Sequence, residues 1–250
     1  MKNLFRVSLI ILFVLPCMIP DASGQIWKLR RYEMEGGFGM TNYFGDVGGY
    51  SNGENLMGLK DISGKSISGM FNIGMRYKLL ETTWVKFNVG LGSLRGSDEG
   101  GQNDARGIKF NSFIFEPSLR LEQSIINGRD ERSYLMMKGR GIPSFRNSFG
   151  LYIFAGLGGA IPFPQAKEDP YNRMTDGKSA VIFPVGLGMK VALDPNWSVG
   201  VDLGWRFSTS DYLDGFSSQY SDHNDVYFLT NVSLIWKLRT SRKNLPIFRL

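Results

Sequence analysis

From Tyr32 onward, apolar and polar or small residues alternate with a period of two, over stretches far longer than an ordinary strand. In Trp84 to Leu94, Val85, Phe87, Val89 and Leu91 point one way. Lys86, Asn88, Gly90 and Gly92 point the other. Trp197 to Phe207 repeats the pattern, with Val199, Val201, Leu203, Trp205 and Phe207 set against Gly200, Asp202, Gly204 and Arg206. Eight such segments are expected, at roughly 31–42, 66–79, 84–95, 110–125, 148–160, 179–193, 197–209 and 225–238. A tilted strand crossing a bilayer needs ~9–11 residues, whereas globular strands average ~5–6.

The connections also alternate. Residues 43–65, 96–109, 161–178 and 210–224 are long and polar, while 80–83 and 194–196 are tight turns. Long loops at one end and short turns at the other, with a large apolar outer face, define an outer-membrane barrel. The expected fold is therefore all-β: an eight-stranded antiparallel transmembrane barrel with a polar, filled lumen and an aromatic girdle of Tyr32, Tyr77, Trp84, Trp197 and Trp236 near the short turns. The exception to the short side is 126–147, about 22 residues long. Phe149 to Phe163 is the ambiguous segment, since it is wholly apolar, Gly or Pro. Its glycines disfavour a helix, and it reads as a strand with Gly150, Gly156 and Gly158 on its inner face.

The N-terminus carries Lys2 and Arg6, a short apolar run at Ser8–Leu15, and small residues at Ala22-Ser23-Gly24. This is the pattern of a cleaved export signal over residues 1–24; the apolar run is too short to span a membrane. Residues 25–250 then form one barrel domain, with strands from about 31 to 238 and a basic periplasmic tail at 239–250. Cys17 is the only cysteine of the chain and lies in the signal, so the remainder has no thiol chemistry. The whole chain has a net charge of +6, from 29 basic and 23 acidic residues.

The expected inward face gathers charge: Glu33, Glu35, Arg76, Lys78, Lys86, Glu116, Arg120, Glu122, Lys190, Asp202, Arg206 and Lys237. Eight strands leave an interior just wide enough for side chains to fill. Charges confined there must pair, so a lumen salt-bridge network is expected rather than an ion path.

Catalytic and metal chemistry find little support. His223 is the single histidine, beside Asp222, and no spacing specifies a nucleophile for it. Asp211, Asp214, Asp222 and Asp225 make the last long loop acidic but lack calcium-loop spacing. No phosphate-binding loop or dinucleotide fingerprint is present. No catalytic residue, cofactor or metal is expected.

Charge is asymmetric between the two ends. The short-turn side holds Lys28, Arg30, Arg31, Arg129, Arg132, Lys138, Arg140, Arg146, Arg239, Arg242, Lys243 and Arg249 against Asp130 and Glu131. Such a field selects anionic partners: lipid headgroups of the inner leaflet, or an acidic periplasmic protein. Nucleic acid is not expected for an exported chain. Segments 126–147 and 239–250 are expected to lie together as a docking surface.

Three stretches carry a resemblance. They are Glu35-Gly36-Gly37-Phe38-Gly39 with Asn42-Tyr43-Phe44-Gly45-Asp46, then Leu91 to Asp98, and Tyr152 to Gly158. Over about residues 31–240 the chain resembles the PorG-like small outer-membrane β-barrels of the Bacteroidota. The resemblance implies an outer-membrane, non-enzymatic component of the type IX protein secretion system, in contact with lipid and lipopolysaccharide. Its periplasmic partners would be secretion-ring proteins of the PorK/PorN kind. The alternatives are a structural or adhesive barrel with acidic surface loops, or an outer-membrane lipid-modifying enzyme using His223.

Overall fold

The computed structural model describes residues 30–44, 66–98, 107–126, 149–168, 177–194, 196–215, 224–241 and 245–248. Eight long strands follow one another in sequence: β1 (Tyr32–Phe44), β2 (Ile67–Lys78), β3 (Thr83–Ser97), β4 (Lys109–Ile126), β5 (Phe149–Glu168), β6 (Ala180–Ala192), β7 (Trp197–Ser208) and β8 (Val226–Thr240). Each pairs antiparallel with the next, and β1 pairs with β8, so the sheet closes. Closure removes the free edges that a membrane would leave unsatisfied. No helix among the described residues is long and apolar enough to cross a membrane.

Register gives the barrel its stagger. The row of partners starting at Tyr32 runs through Tyr77, Val85, Leu121, Ala155, Val185, Trp205 and Phe228. It returns to β1 at Asn42, ten residues further along. A stagger of this kind tilts the strands against the barrel axis and sets the bore.

The alternation read from the sequence maps onto the two faces. Phe71, Ile73, Phe87, Leu119, Val185 and Leu234 are exposed on the outer wall, as a lipid-facing surface requires. Their neighbours Asn72, Lys86, Arg120 and Ser233 are buried in the lumen. Of the 126–147 connection only Ile126 is described, at the end of β4; the rest of it and the 1–24 signal lie outside the described residues.

Four features depart from the sequence expectation. First, β5 continues to Glu168, into what reads as a loop. Pro162 and Pro164 suggest an end, because proline cannot donate to a ladder. Yet β5 pairs with β6 only as far as Ala160↔Ala180, and beyond that point it pairs with β4 alone. Proline is tolerated on such a one-sided strand.

Second, Trp84 does not belong to the girdle. The Lys78 and Lys190 ammonium groups lie over its ring, 4.8 and 5.2 Å from the centroid. It shares a face with inward Lys86 and Asn88, and closes the short-turn end of the lumen. Tyr32 and Tyr77, 5.0 Å apart, and Trp197 and Trp236, stacked at 6.0 Å, occupy the outer wall there.

Third, the inner face of β5 is not only glycine, for Tyr152 and Phe154 are buried in the bore. Fourth, a two-residue strand, β9 (Pro246–Ile247), extends β8 through Arg239↔Ile247 and Thr240↔Pro246.

Candidate functional site

The lumen is layered. Toward the short turns it holds an ion-pair network drawn from six strands. Arg76 on β2 is its hub: Nε lies 3.0 Å from Glu122 on β4, and Nη2 lies 3.2 Å from Glu35 on β1. Arg76 Nη1 is 3.8 Å from Glu33, which also pairs with Lys190 on β6. Lys86 on β3 pairs with Glu35 and lies 3.1 Å from Asp202 on β7. Arg120 joins Asp202 at 3.6 Å and Glu116 at 4.0 Å. Arg206 ends the chain, with Nε 3.6 Å from Glu116.

The ten residues Glu33, Glu35, Arg76, Lys86, Glu116, Arg120, Glu122, Lys190, Asp202 and Arg206 thus form one connected set. Alternation explains why: each charge stands at an inward position of its strand, and register sets Glu33, Arg76, Lys86 and Arg120 in one row across β1 to β4, with the other charges in nearby rows. Isolated charges in such a confined space would be strongly disfavoured. Here each cation meets at least one carboxylate, and each carboxylate meets a cation.

Aromatic and amide groups complete the network, and these were not legible as site residues. Tyr152 accepts from Arg76 Nη2 at 2.8 Å and donates to Asp202. The Arg76 guanidinium stacks over its ring at 5.2 Å, and Arg120 lies 5.0 Å from the centre of Phe154. Tyr227 donates to Glu116 at 2.6 Å. Asn88 donates to Asn72 at 3.2 Å, and Asn72 to Asn231 at 3.1 Å, bridging three strands. The signal for Tyr152 and Phe154 is present in the sequence as even-numbered positions of β5, in phase with Gly150 and Gly156.

Toward the long loops the lumen turns apolar. Met70, Leu94, Phe110, Ile114, Ile182 and Leu229 are fully buried there in one cluster. The expectation of a polar filling holds for the short-turn half; the other half is filled by this hydrophobic plug, with Thr41, Ser68 and Ser112 buried among it. Leu213 drops into this plug from the β7–β8 connection and is fully buried.

Above the plug sits an acidic cap. Tyr43 donates to Asp225, and the Leu213 amide donates to the other Asp225 oxygen at 2.8 Å. Asp214 is also buried. Burial, and then the Asp214 carboxylate beside it, hold the Asp225 carboxyl well above the usual carboxylate range. Among the described residues, no group of His, Cys, Asp or Glu has metal-holding geometry.

Of the expected docking residues, Arg239 is exposed at the end of β8. Arg129, Arg132, Lys138, Arg140, Arg146, Arg242 and Lys243 lie outside the described residues, as does His223. Near the same end, Arg31 donates to the Tyr77 hydroxyl at 2.9 Å. Leu79, Leu80, Ile125, Ile126 and Leu193 are exposed in or beside the short-side connections.

Residues 10–233 match the family model described as outer membrane protein beta-barrel domain. No curated protein matches the chain. Among solved structures it is similar to Ail, the attachment invasion locus protein of Yersinia pestis, at 11% identity and TM-score 0.43, covering 83% of this chain and 98% of that one. It is similar to Neisserial surface protein A at 6% identity and TM-score 0.45, covering 82% and 96%. OprG from Pseudomonas aeruginosa is similar at 12% identity and TM-score 0.44, covering 84% and 97%.

Proposed function

The chain belongs to the outer membrane protein beta-barrel domain family, an outer-membrane barrel whose short turns face the periplasm, and on that premise we propose that it is a non-enzymatic component of the type IX protein secretion apparatus. In this role it docks an acidic periplasmic ring complex, of PorK/PorN-like proteins, through its basic periplasmic end. The observation that carries the proposal is the contrast between bore and rim. The bore is filled by a salt-bridge layer and an apolar plug, so it offers no wide path for a substrate. The periplasmic rim exposes Leu79, Leu80, Ile125, Ile126 and Leu193, and the sequence that joins or leaves the strands at that end carries a strong excess of cations. Apolar groups among like charges are the makings of a protein-binding surface. Arg129, Arg132, Lys138, Arg140 and Arg146 are its assigned contacts, and the resemblance to PorG-like barrels supports the partner.

The alternative, a structural or adhesive barrel with acidic surface loops, is compatible with the same family. Among the described residues, Asp98, Asp214 and Asp225 at the outer mouth are buried, which favours a structural over an adhesive role for these three.

Cross-linking in intact cells, followed by purification of the tagged protein from solubilised outer membrane and mass spectrometry, tests the proposal. Cross-links from 126–147 to a periplasmic ring lipoprotein are the expected result. Recovery of the barrel with lipopolysaccharide and no reproducible protein partner would overturn it.

A further inference from the structure

The C-terminal tail does not simply leave the barrel. Past the last β7 partner of β8, Trp236↔Trp197, the chain turns back on itself. The Ser241 amide donates to the Leu245 carbonyl at 2.8 Å, and β9 pairs with Arg239 and Thr240. This return places Phe248 edge-on to Trp236, 6.4 Å between ring centres. Trp236 stacks on Trp197 on the outer wall, so the tail meets the lipid-facing surface at its aromatic girdle.

A ladder of two residue pairs is too short to hold a hairpin in water. Yet its side chains are apolar and open: Leu245 is 60% exposed and Phe248 62% exposed, with Ile247 partly exposed between them. Arg239, Arg242, Lys243 and Arg249 flank them in sequence. Apolar groups continuous with a lipid-facing wall, bracketed by bases, form the pattern of a segment lying in a bilayer interface.

We propose that Leu245–Phe248 is an interfacial anchor, embedded in the periplasmic leaflet of the bilayer that the barrel spans, with the exposed Arg239 beside Ile247 meeting anionic phospholipid headgroups. The occupant is lipid because, through Phe248 on Trp236, the patch is continuous with the apolar outer wall that a membrane barrel turns to lipid. The anchor fixes the periplasmic end against the membrane plane. It assigns the tail to lipid, leaves the 126–147 segment to any protein partner, and stands independently of the docking proposal.

The test is spin-label accessibility at Ile247→Cys, in a Cys17→Ser background, with the full barrel in phosphatidylcholine vesicles with and without phosphatidylglycerol. Leu234→Cys on the lipid-facing wall and Lys178→Cys at the opposite end are the references. The expected result is a collision ratio of oxygen over a water-soluble nickel chelate close to that at 234 and several-fold above that at 178. Phosphatidylglycerol should raise it further. Adding Phe248→Asp should return the label at 247 to water, while the barrel keeps its heat-modifiable migration on gels. A water-like label at 247 in both vesicle types would overturn the proposal. So would protection that occurs in cells and is absent in vesicles of the pure protein, since that result assigns the patch to a protein.

Discussion

Tyr152 on β5 donates its hydroxyl across the bore to Asp202 on β7, while accepting from Arg76 on β2 at 2.8 Å. One phenol thereby ties the Arg76 half of the network to the Lys86–Asp202–Arg120 half. Tyr152→Phe should remove that tie and leave the charges paired, destabilising the barrel by about 1–3 kcal/mol. Asp202→Asn should be worse, about 3–5 kcal/mol, because Lys86 and Arg120 then lose their shared carboxylate. Urea unfolding in lipid vesicles, followed by tryptophan fluorescence, measures both. In a double-mutant cycle, Lys86→Met should recover part of the Asp202→Asn loss; strict additivity would argue against the pairing.

The apolar plug makes a separate prediction. Ile114 is fully buried beside Ile182 and Leu94. Ile114→Ala should cost about 2–5 kcal/mol through the cavity it leaves. Wild-type protein in planar bilayers should show no large steady conductance. The triple variant Ile114→Ala, Ile182→Ala, Leu213→Ala should lose stability and still not conduct, because the salt-bridge layer beneath remains. Steady conductance from the triple variant would show that the ionic layer does not close the bore.

Much of this architecture was legible because a barrel wall obeys one rule. Side chains alternate, and the environment on each side is uniform along most of the strand. Val85, Phe87 and Val89 against Lys86, Asn88 and Gly90 therefore state both the strand and its orientation. The inward set from Glu33 to Lys237 follows from phase alone, and register brings its members together. The rule fails where the environment changes along the strand. Ile114 and Ile182 are inward and apolar because they lie in the plug, so apolar residues stand on both faces there and alternation is lost. Trp84 is misread for a related reason: an aromatic near a turn fits either a girdle or a lumen seal, and only its phase with Lys86 separates the two. The end of β5 depends on which neighbour stops pairing, and proline content does not carry that information.

The acidic cap should respond to pH with a defined sign. The folded-state pKa of Asp225 is raised above its unfolded value, by burial and by Asp214. Such a carboxyl contributes stability that is fully present below the unfolded carboxylate pKa, about 4, and is lost as pH rises through the folded value. The Leu213 amide, donating to Asp225 at 2.8 Å, is the reporter. Its hydrogen-exchange protection, corrected for intrinsic rates, should be greatest in acid and fall as pH rises. Asp225→Asn keeps a neutral acceptor beside Tyr43 and should flatten that dependence. Protection that increases with pH in the wild type would contradict the assignment.

Close strand approach yields the last prediction. A Cβ added at Gly156 would lie 2.2 Å from the Leu119 carbonyl oxygen and 2.8 Å from Arg120 Cα. Both are backbone atoms of β4, so no rotamer change relieves the overlap, and the β4–β5 pairing must open. Gly156→Ala should therefore reduce the yield of folded, heat-modifiable barrel sharply, and Gly156→Val should abolish it. Gly36 provides the control, because an added Cβ there meets nothing within 4 Å. Gly36→Ala should fold like the wild type, or slightly better, since it lowers the entropy of the unfolded chain. The effect of Gly156→Ala also bears on the network. Arg120 is fixed beside this contact, with its guanidinium over Phe154 and toward Asp202, so displacing β4 here moves an ion pair as well as a ladder. Any folded fraction of Gly156→Ala should consequently unfold at lower urea concentration than Gly36→Ala. Equal midpoints for the two variants would show that β4 and β5 have slack at this point and that the contact does not set their spacing.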